Sequence, residues 1–383
     1  MYPRWLGARE LLLHERNPYS PEVTREIQAG YYGRPLDAAR AEDPRDQQGF
    51  AYPVYVAFLL APTVGLPFEY VQKGFFFLLF VLTGASALIW LRVLRCAASF
   101  STKIVVLVLT LGSLAVMQGL KLEQMSLLVA GLIAGGMLLL IKDHQVAAGI
   151  VLALATIKPQ LVIFLLVWLG MWTLADVRRR YAWVASFLVT LAILFAASER
   201  YVPHWVSSFQ QAVRQYQSYT GAMGVMEKLA GVGAGWVLEV LAFGMMLVLC
   251  WRHRRADEKS CGFALTIAMV LAVTVLLAPT YAVYNQVLLI PAVLAVAAAR
   301  REVWEQGRAS RVLFVASAVG VLWPWVASVG LATLSFILSS ETVERGWAVP
   351  FWTALFIPVG VAAMMLIFPW ETTIGASAEP GTS

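Results

Sequence analysis

The chain has 383 residues, 60% of them hydrophobic and only 14% charged. Soluble domains are nearer half apolar and a quarter charged, so a water-soluble globule, a disordered chain and a disulfide scaffold are all excluded as the main reading. The formal net charge of +6, from 29 Lys and Arg against 23 Asp and Glu, has a simpler source than nucleic-acid binding: basic residues collected in the loops on one side of a membrane.

Stretches such as 104–117 (IVVLVLTLGSLAVM) carry no ionisable side chain. In hydrocarbon every unpaired backbone group is costly, so apolar runs of this length must close their hydrogen bonds internally, as helices. The composition therefore predicts an all-α, polytopic helical membrane protein. In chain order, residues 1–49 read as an outer-face segment. Within it, 2–14 forms a short amphipathic helix at the interface, with Trp5, Leu6, Leu12 and Leu13 broadly on one face, ending near Asn17-Pro18. Ser20-Pro21-Glu22 then supplies an N-cap, a proline at the first helical position and an early acid, and this second helix is expected to stop at Gly30.

Segment 50–66 is apolar but interrupted by Pro53 and Pro62, with Pro67 just beyond, and suits a hairpin or re-entrant helix. The expected spans follow at 70–92, 104–119, 124–141, 146–157, 160–175, 181–198, 231–251, 262–278, 284–299, 312–334 and 350–369, about eleven transmembrane or partly spanning helices in one domain covering 50–369. Span 146–157 is too short to cross the roughly 30 Å of hydrocarbon. It reads as a partial helix whose outer end, Lys158-Pro159, lies below the membrane surface and lines a cavity. Residues 199–230 and 339–349 are expected as outer loops, and 370–383 as a disordered cytoplasmic tail.

Basic residues cluster at Arg92, Arg95 and Lys103, at Lys142, at Arg178–Arg180, at Arg252–Arg255 and from Arg300 to Arg311, whereas the opposite loops hold only Lys121, Lys158, Arg200, Arg214, Lys228 and Arg345. This asymmetry makes the basic side cytoplasmic. The expectation is a multi-pass plasma-membrane protein, N-terminus outside and C-terminus inside. Cys96, Cys250 and Cys261 have no metal-ligand or redox spacing and read as apolar fillers.

An ionisable group inside a bilayer is expensive and needs a reason. Lys158, ending a short apolar helix in ATIKPQ, suits a phosphate neutralised by a point charge, or it simply snorkels to the interface. The turn QGLKLEQMS (118–126) brings Gln118, Lys121, Glu123 and Gln124 together, for a hydroxyl or headgroup or as a solvated loop. Glu239 is the one carboxylate deep in an expected span, either a relay group or a helix–helix hydrogen bond. Tyr281, Tyr284 and Asn285 in APTYAVYNQ are interface anchors or a carbohydrate site. The 199–230 loop, with His204, Trp205, Gln210, Gln211, Tyr216 and Tyr219, is longer than a connection requires and fits recognition or lid closure. The sequence carries no P-loop, GxGxxG-helix, GxSxG, HExxH or Cys/His spacing, so no cofactor and no metal are expected.

Several landmarks occur together in one family. WLGARELLLHERNPY (5–19), FAYPVYVAFLLAP (50–62), LEQMSLLVAGL (122–132), AGIVLALATIKPQ (148–160) and APTYAVYNQVLLIP (278–291) stand in the order of similar stretches in the polytopic GT-C glycosyltransferases. The chain most resembles glycosyltransferase family 87, which includes polyprenyl-phosphate-mannose-dependent mannosyltransferases. The resemblance implies a hexosyltransferase that moves a mannose-like sugar, with inversion, from a polyprenyl-phosphate donor to a lipid or glycan hydroxyl on the outer face. Membrane lipids are then its surroundings, and nucleic acid is not a partner.

The resemblance also implies site roles. Lys158, with Lys121 and Arg4 as helpers, would hold the donor phosphate. Tyr2, Asn17, Tyr19, Gln124, Tyr281, Tyr284 and Asn285 would line the sugar or acceptor pocket. The family's acidic base falls at or before Met1-Tyr2, so the first family helix and that base are expected to be missing from this sequence, and Glu10 does not inherit the role. The late turn carries Tyr284 and Asn285 where mannosyl-transferring members often have histidine. The rival reading is a transporter or lipid flippase, which calls for internal repeats and groups at the bilayer midplane; only Glu239 answers to that.

Overall fold

The computed structural model describes residues 1–37, 40 and 42–368, and the expected tail at 370–383 lies outside them. Among the described residues every regular element is helical. The first two helices are α1 (Tyr2–His14) and α2 (Pro21–Tyr32). The Ser20 hydroxyl caps α2 by accepting from the Val23 amide at 3.2 Å, with Pro21 in the first turn. The helix runs past Gly30 and ends at Gly33, whose φ of 78° is the left-handed cap. Gly30 has a different use: the Tyr2 ring lies so close that a Cβ would overlap it.

The buried side of α1 is Trp5, Ala8 and Leu11, whereas Leu13 is exposed. Of the expected Trp5, Leu6, Leu12 and Leu13 face, Trp5 is buried and Leu6 and Leu12 pack against the core, but burial centres on Ala8 and Leu11 rather than on Leu13. The reason is a protein surface supplied by segment 50–66, where α3 (Val56–Leu60) lies against α1. The Trp5 indole donates to the Thr63 carbonyl at 3.2 Å and fixes that contact.

The apolar helices that follow make this a membrane-embedded protein. They are α4 (Phe68–Val93), α5 (Phe100–Leu111), α6 (Leu114–Lys121), α7 (Met125–Ile141), α8 (Gln145–Ala155), α9 (Ile163–Leu174) and α10 (Val177–Tyr201), then α11 (Trp205–Thr220) and α12 (Val225–Ala230). The chain continues through α13 (Val232–His253), α14 (Cys261–Leu276), a 3-10 turn at Val283–Leu289, α15 (Ile290–Ala298), α16 (Arg300–Glu305) and α17 (Arg308–Leu334). It closes with α18 (Ser340–Gly346), α19 (Ala348–Thr353) and α20 (Phe356–Leu366).

By length and composition five stretches can cross a membrane alone: Phe68–Val93, Val177–Tyr201, Val232–His253, Arg308–Leu334 and Ser340–Leu366. A sixth arises if α5 and α6, bent by 55°, count as one. The expected span at 104–119 is therefore broken, because Ser113 starts a new helix by accepting from the Val116 amide and the Trp325 ring packs on Gly112. The expected 339–349 loop is helical: Ser339 caps α18 through the Thr342 amide, and Glu341 pairs with Arg345 at 2.6 Å one turn on.

The shorter helices pack centrally. Gly262 through Leu276 of α14 are all buried, as befits a helix apolar on every side. Trp168 and Trp172 of α9 pack on Phe263 of α14 at ring separations of 5.0 and 5.1 Å. Helix α8 is wedged between α7 and α10, where Gly136 admits Leu152 and Gly149 admits the α10 backbone.

Arg180 of α10 locks the connection after α13. Its guanidinium lies 4.0 Å from the Trp172 ring centroid and donates to the carbonyls of Trp172, of Arg254 (3.3 Å) and of Ala256 (3.1 Å). Arg180→Ala takes a donor from all three carbonyls, of which Ala256 keeps the Trp172 indole at 2.8 Å, and is expected to cost about 2–3 kcal/mol, seen as a lower melting temperature of the purified protein.

Candidate active site

Helix α8 ends at Ala155, and Pro159, which disfavours helical backbone in the residue before it, begins a 3-10 turn at Pro159–Leu161. Lys158 is left in extended backbone, φ −126°, between the two. The Tyr55 hydroxyl holds this corner by donating to the Thr156 carbonyl at 2.9 Å. Tyr55→Phe leaves that buried carbonyl without its donor; we expect a loss of about 1–3 kcal/mol, measured by thermal unfolding, and a smaller fall in activity.

Lys158 projects into a cavity of about 510 Å³. Only 7% of the residue is exposed, so the snorkelling alternative does not apply. Its Nζ donates to Ser126 Oγ at 2.9 Å and reaches Gln124 Oε1 at 3.5 Å. It also lies 5.0 Å from the Tyr284 ring centroid and 5.9 Å from that of Tyr52. Ser126 Oγ in turn donates to Asn285 Oδ1 at 2.7 Å, joining the start of α7 to the 3-10 turn at Val283–Leu289.

Arg4 enters from α1. It donates to Gln124 Oε1 at 3.2 Å and the Glu123 carbonyl at 3.4 Å, and its guanidinium lies 4.7 Å from the Tyr52 ring centroid. Its Nε is buried without a hydrogen-bond partner among the described residues. No described carboxylate pairs with Arg4 or Lys158 within 4.0 Å. Burial pushes the Tyr52 phenol up, but the charges of Arg4 and Lys158 outweigh it and hold its pKa below the usual tyrosine value. This part of the cavity is strongly cationic.

The rest of the lining is mixed, with Asp46 and a further cation, Arg214, among amides and phenols. Asp46 and Gln48 come from the stretch after α2, and Gln210, Arg214, Tyr216, Gln217 and Tyr219 from α11. The 199–230 stretch is thus largely helical, and one side of α11 faces the cavity. His204 stays exposed at its start, while Trp205 is buried against Tyr55 and Phe195. Burial first, then the neighbouring Asp46 charge, raises the pKa of Tyr219.

Of the expected site residues, Arg4, Gln124, Lys158, Tyr284 and Asn285 line this cavity. The others sit elsewhere. Lys121 is exposed at the end of α6 and outside the lining. Tyr2 packs edge-on against Phe68 at 4.9 Å. Asn17 closes a turn by accepting from the Tyr19 amide at 3.0 Å, and the Tyr19 hydroxyl donates to the Tyr52 carbonyl at 2.5 Å, so it steadies the wall from behind. Tyr281 reaches the Phe351 carbonyl at 3.4 Å. Glu10 is buried and bound by Arg16 (2.8 Å) and His14 (3.1 Å), away from the cavity. Glu239 faces Gly224 and also lies outside the lining.

Sequence reasoning passed over Asp46, Tyr52 and Ser126. Ser126 ends the polar turn already singled out and Tyr52 lies in FAYP, so both were within reach. Asp46 stands in the evenly polar DPRDQQG, where nothing separates it from its neighbours.

The model of glycosyltransferase family 87 matches residues 50–279, which include Tyr52, Gln124, Ser126 and Lys158. No curated protein and no solved structure matches the chain. With three-fifths of its length matched, the chain belongs to glycosyltransferase family 87.

Proposed function

We propose that this membrane glycosyltransferase moves a mannose-like hexose from a polyprenyl-phosphate donor to an acceptor hydroxyl at the outer face of the plasma membrane, with inversion and without a metal. The observation that carries this reading is the pair of cations, Lys158 and Arg4, converging on one polar cavity without a carboxylate partner among the described residues. A buried ammonium without a counter-ion is costly to fold. An anion delivered by the substrate offsets that cost, and a lipid phosphate is the anion that a membrane-embedded cavity meets.

In the reaction the acceptor oxygen attacks the anomeric carbon from the side opposite the phosphate. The bond between that carbon and the phosphate oxygen breaks, and its electron pair departs on the phosphate. Lys158 and Arg4 neutralise the developing charge, which is greater in the transition state than in the donor. The hydroxyl proton passes to a carboxylate acting as general base. Gln124, Ser126 and Asn285 keep the ammonium aimed.

The test is transfer by the purified full-length protein in lipid nanodiscs, supplied with radiolabelled polyprenyl-phosphate-mannose and membrane lipid extract. The expected result is a labelled product of inverted anomeric configuration, formed equally well in excess EDTA. Absence of transfer from any polyprenyl-phosphate sugar overturns the reading, and loss of activity with EDTA overturns its metal-independent form.

A further inference from the structure

The two ends of the 26-residue helix α4 lie in different surroundings. At its start Phe68 packs on Tyr2 and Trp5 of α1, the helix that also carries Arg4 into the cavity of Lys158. Its other end lies about 38 Å away, at a rise of about 1.5 Å per residue. There a second cavity, of about 390 Å³, opens between α4 and α5. Arg92 and Arg95 at the end of α4 and Lys103 at the start of α5 line it, together with the apolar Leu88 and Leu91.

Among the described residues no carboxylate lines this pocket, and none lies within 4.0 Å of the three cations. Other basic groups on the same side are engaged: Arg179 binds Asp257 and Glu258, and Arg311 donates to the Trp304 carbonyl at 2.6 Å. Lys103 is also badly placed for its own helix. The start of α5 is the positive end of the helix dipole, and its first turn holds no acid. One anion between the helices satisfies all three cations and the dipole together.

The surroundings indicate which anion. Helix α5 contributes no buried residue, and Phe100, Ile104 and Val108 form an exposed apolar stripe along it at four-residue spacing. A free phosphate makes no use of such a stripe, whereas the acyl chains of a phospholipid can lie along it with the headgroup beside Lys103. Basic pockets between membrane helices suit anionic headgroups, that of cardiolipin included. Three cations also exceed the charge of a single phosphodiester and suit a lipid that carries two.

We propose that Arg92, Arg95 and Lys103 form a binding site for an anionic phospholipid with two phosphates, of the cardiolipin type, which ties α5 to the end of α4. The site is separate from the cavity of Lys158 and does not rest on the glycosyl-transfer reading, so its failure leaves that reading as it stands. Arg95 offers a clean variant. The Cys96 amide donates to the Leu91 carbonyl at 2.9 Å and closes α4 with Arg95 in the left-handed region, φ 54°, which glycine adopts without strain. Arg95→Gly therefore removes a cation while easing the turn.

The experiment is native mass spectrometry of the full chain in detergent, titrated with cardiolipin, phosphatidylglycerol and phosphatidylcholine, with melting temperatures taken on the same samples. Cardiolipin should bind the wild type more tightly than phosphatidylglycerol and at least tenfold more tightly than phosphatidylcholine, and should raise the melting temperature. A basic residue near an anionic lipid surface is worth roughly fivefold in affinity. Arg95→Gly should therefore weaken cardiolipin about fivefold, with no loss of melting temperature in detergent alone. The triple variant Arg92→Gln, Arg95→Gly, Lys103→Gln should weaken it about 100-fold. The control triple variant Lys142→Gln, Arg301→Gln, Arg308→Gln removes exposed cations outside the pocket and should stay within threefold. Cardiolipin affinity kept within twofold in the pocket triple variant, or an equal loss in the control, overturns the site; should the triple variant not fold, Arg95→Gly decides by the same criterion. Equal binding of phosphatidylcholine, or displacement of cardiolipin by excess inorganic phosphate, overturns its assignment to a lipid.

Discussion

Replacing Lys158 with methionine is expected to lower the transfer rate by 100-fold or more while leaving the protein as stable as before, or more so. The two effects have one origin. The ammonium is buried, bonded to Ser126 and close to Gln124, and without a carboxylate partner among the described residues. Exchanging a buried charge for an apolar group of similar volume is commonly neutral or stabilising by about 1–4 kcal/mol. In the proposed reaction the same charge faces the departing phosphate, where removing one preorganised electrostatic partner costs about 10²–10³ in kcat. Turnover and melting temperature measured on one preparation test both halves. Turnover within threefold of wild type removes Lys158 from the chemistry, and a clear fall in melting temperature shows that its hydrogen bonds outweigh its desolvation. Lys158→Arg should recover only part of the rate, because a planar fork cannot take the place of a compact ammonium between Ser126, Tyr52 and Tyr284.

The second large effect is expected at Gly149→Ala. A Cβ at this position in α8 would overlap the Trp183 carbonyl and Ser186 Oγ of α10 and lie 2.8 Å from the Phe187 amide. Two of those three obstacles are backbone, so no rotamer change relieves them and the helices must part. Overpacking of this kind costs about 1–3 kcal/mol, and more where backbone must move. Since α8 ends two residues before Ile157 and three before Lys158, the displacement also carries the ammonium away from Ser126. Thermal unfolding should show a lower midpoint and transfer assays a loss beyond that due to unfolded protein. Gly135→Ala, where nothing lies within 4 Å of the new Cβ, is the matched control and should leave both unchanged. Equal melting of the two variants would mean that α8 and α10 are not in close contact.

What could be read from the sequence depended on contrast. A lysine at the end of an apolar run is conspicuous because the run makes it costly, and Gln124 and Asn285 stand out for the same reason; all three line the cavity. Asp46 sits among polar neighbours and becomes distinctive only when the fold brings α11 across from it. Helix existence was equally plain, since long uncharged runs allow little else, but helix interruption was not. The break at Gly112-Ser113 depends on one serine hydroxyl competing for the next turn's amides and on a distant Trp325. That Ala8 and Leu11, rather than Leu13, complete the buried face of α1 escaped notice because its partner, segment 50–66, begins 36 residues after the helix ends, and local periodicity carries no information about it.

The way the cavity is assembled has a consequence for how its lining can vary. The cationic side is assembled from α1, the start of α7 and the turn after α8, all tied into the packed interior. Much of the remaining lining comes from a single helix, α11, whose outward residues are exposed and which is held at one end by Trp205 and beyond the other by Met223. Substitutions at its polar positions Gln210, Arg214 and Gln217 therefore change the lining of the cavity without disturbing the packed interior.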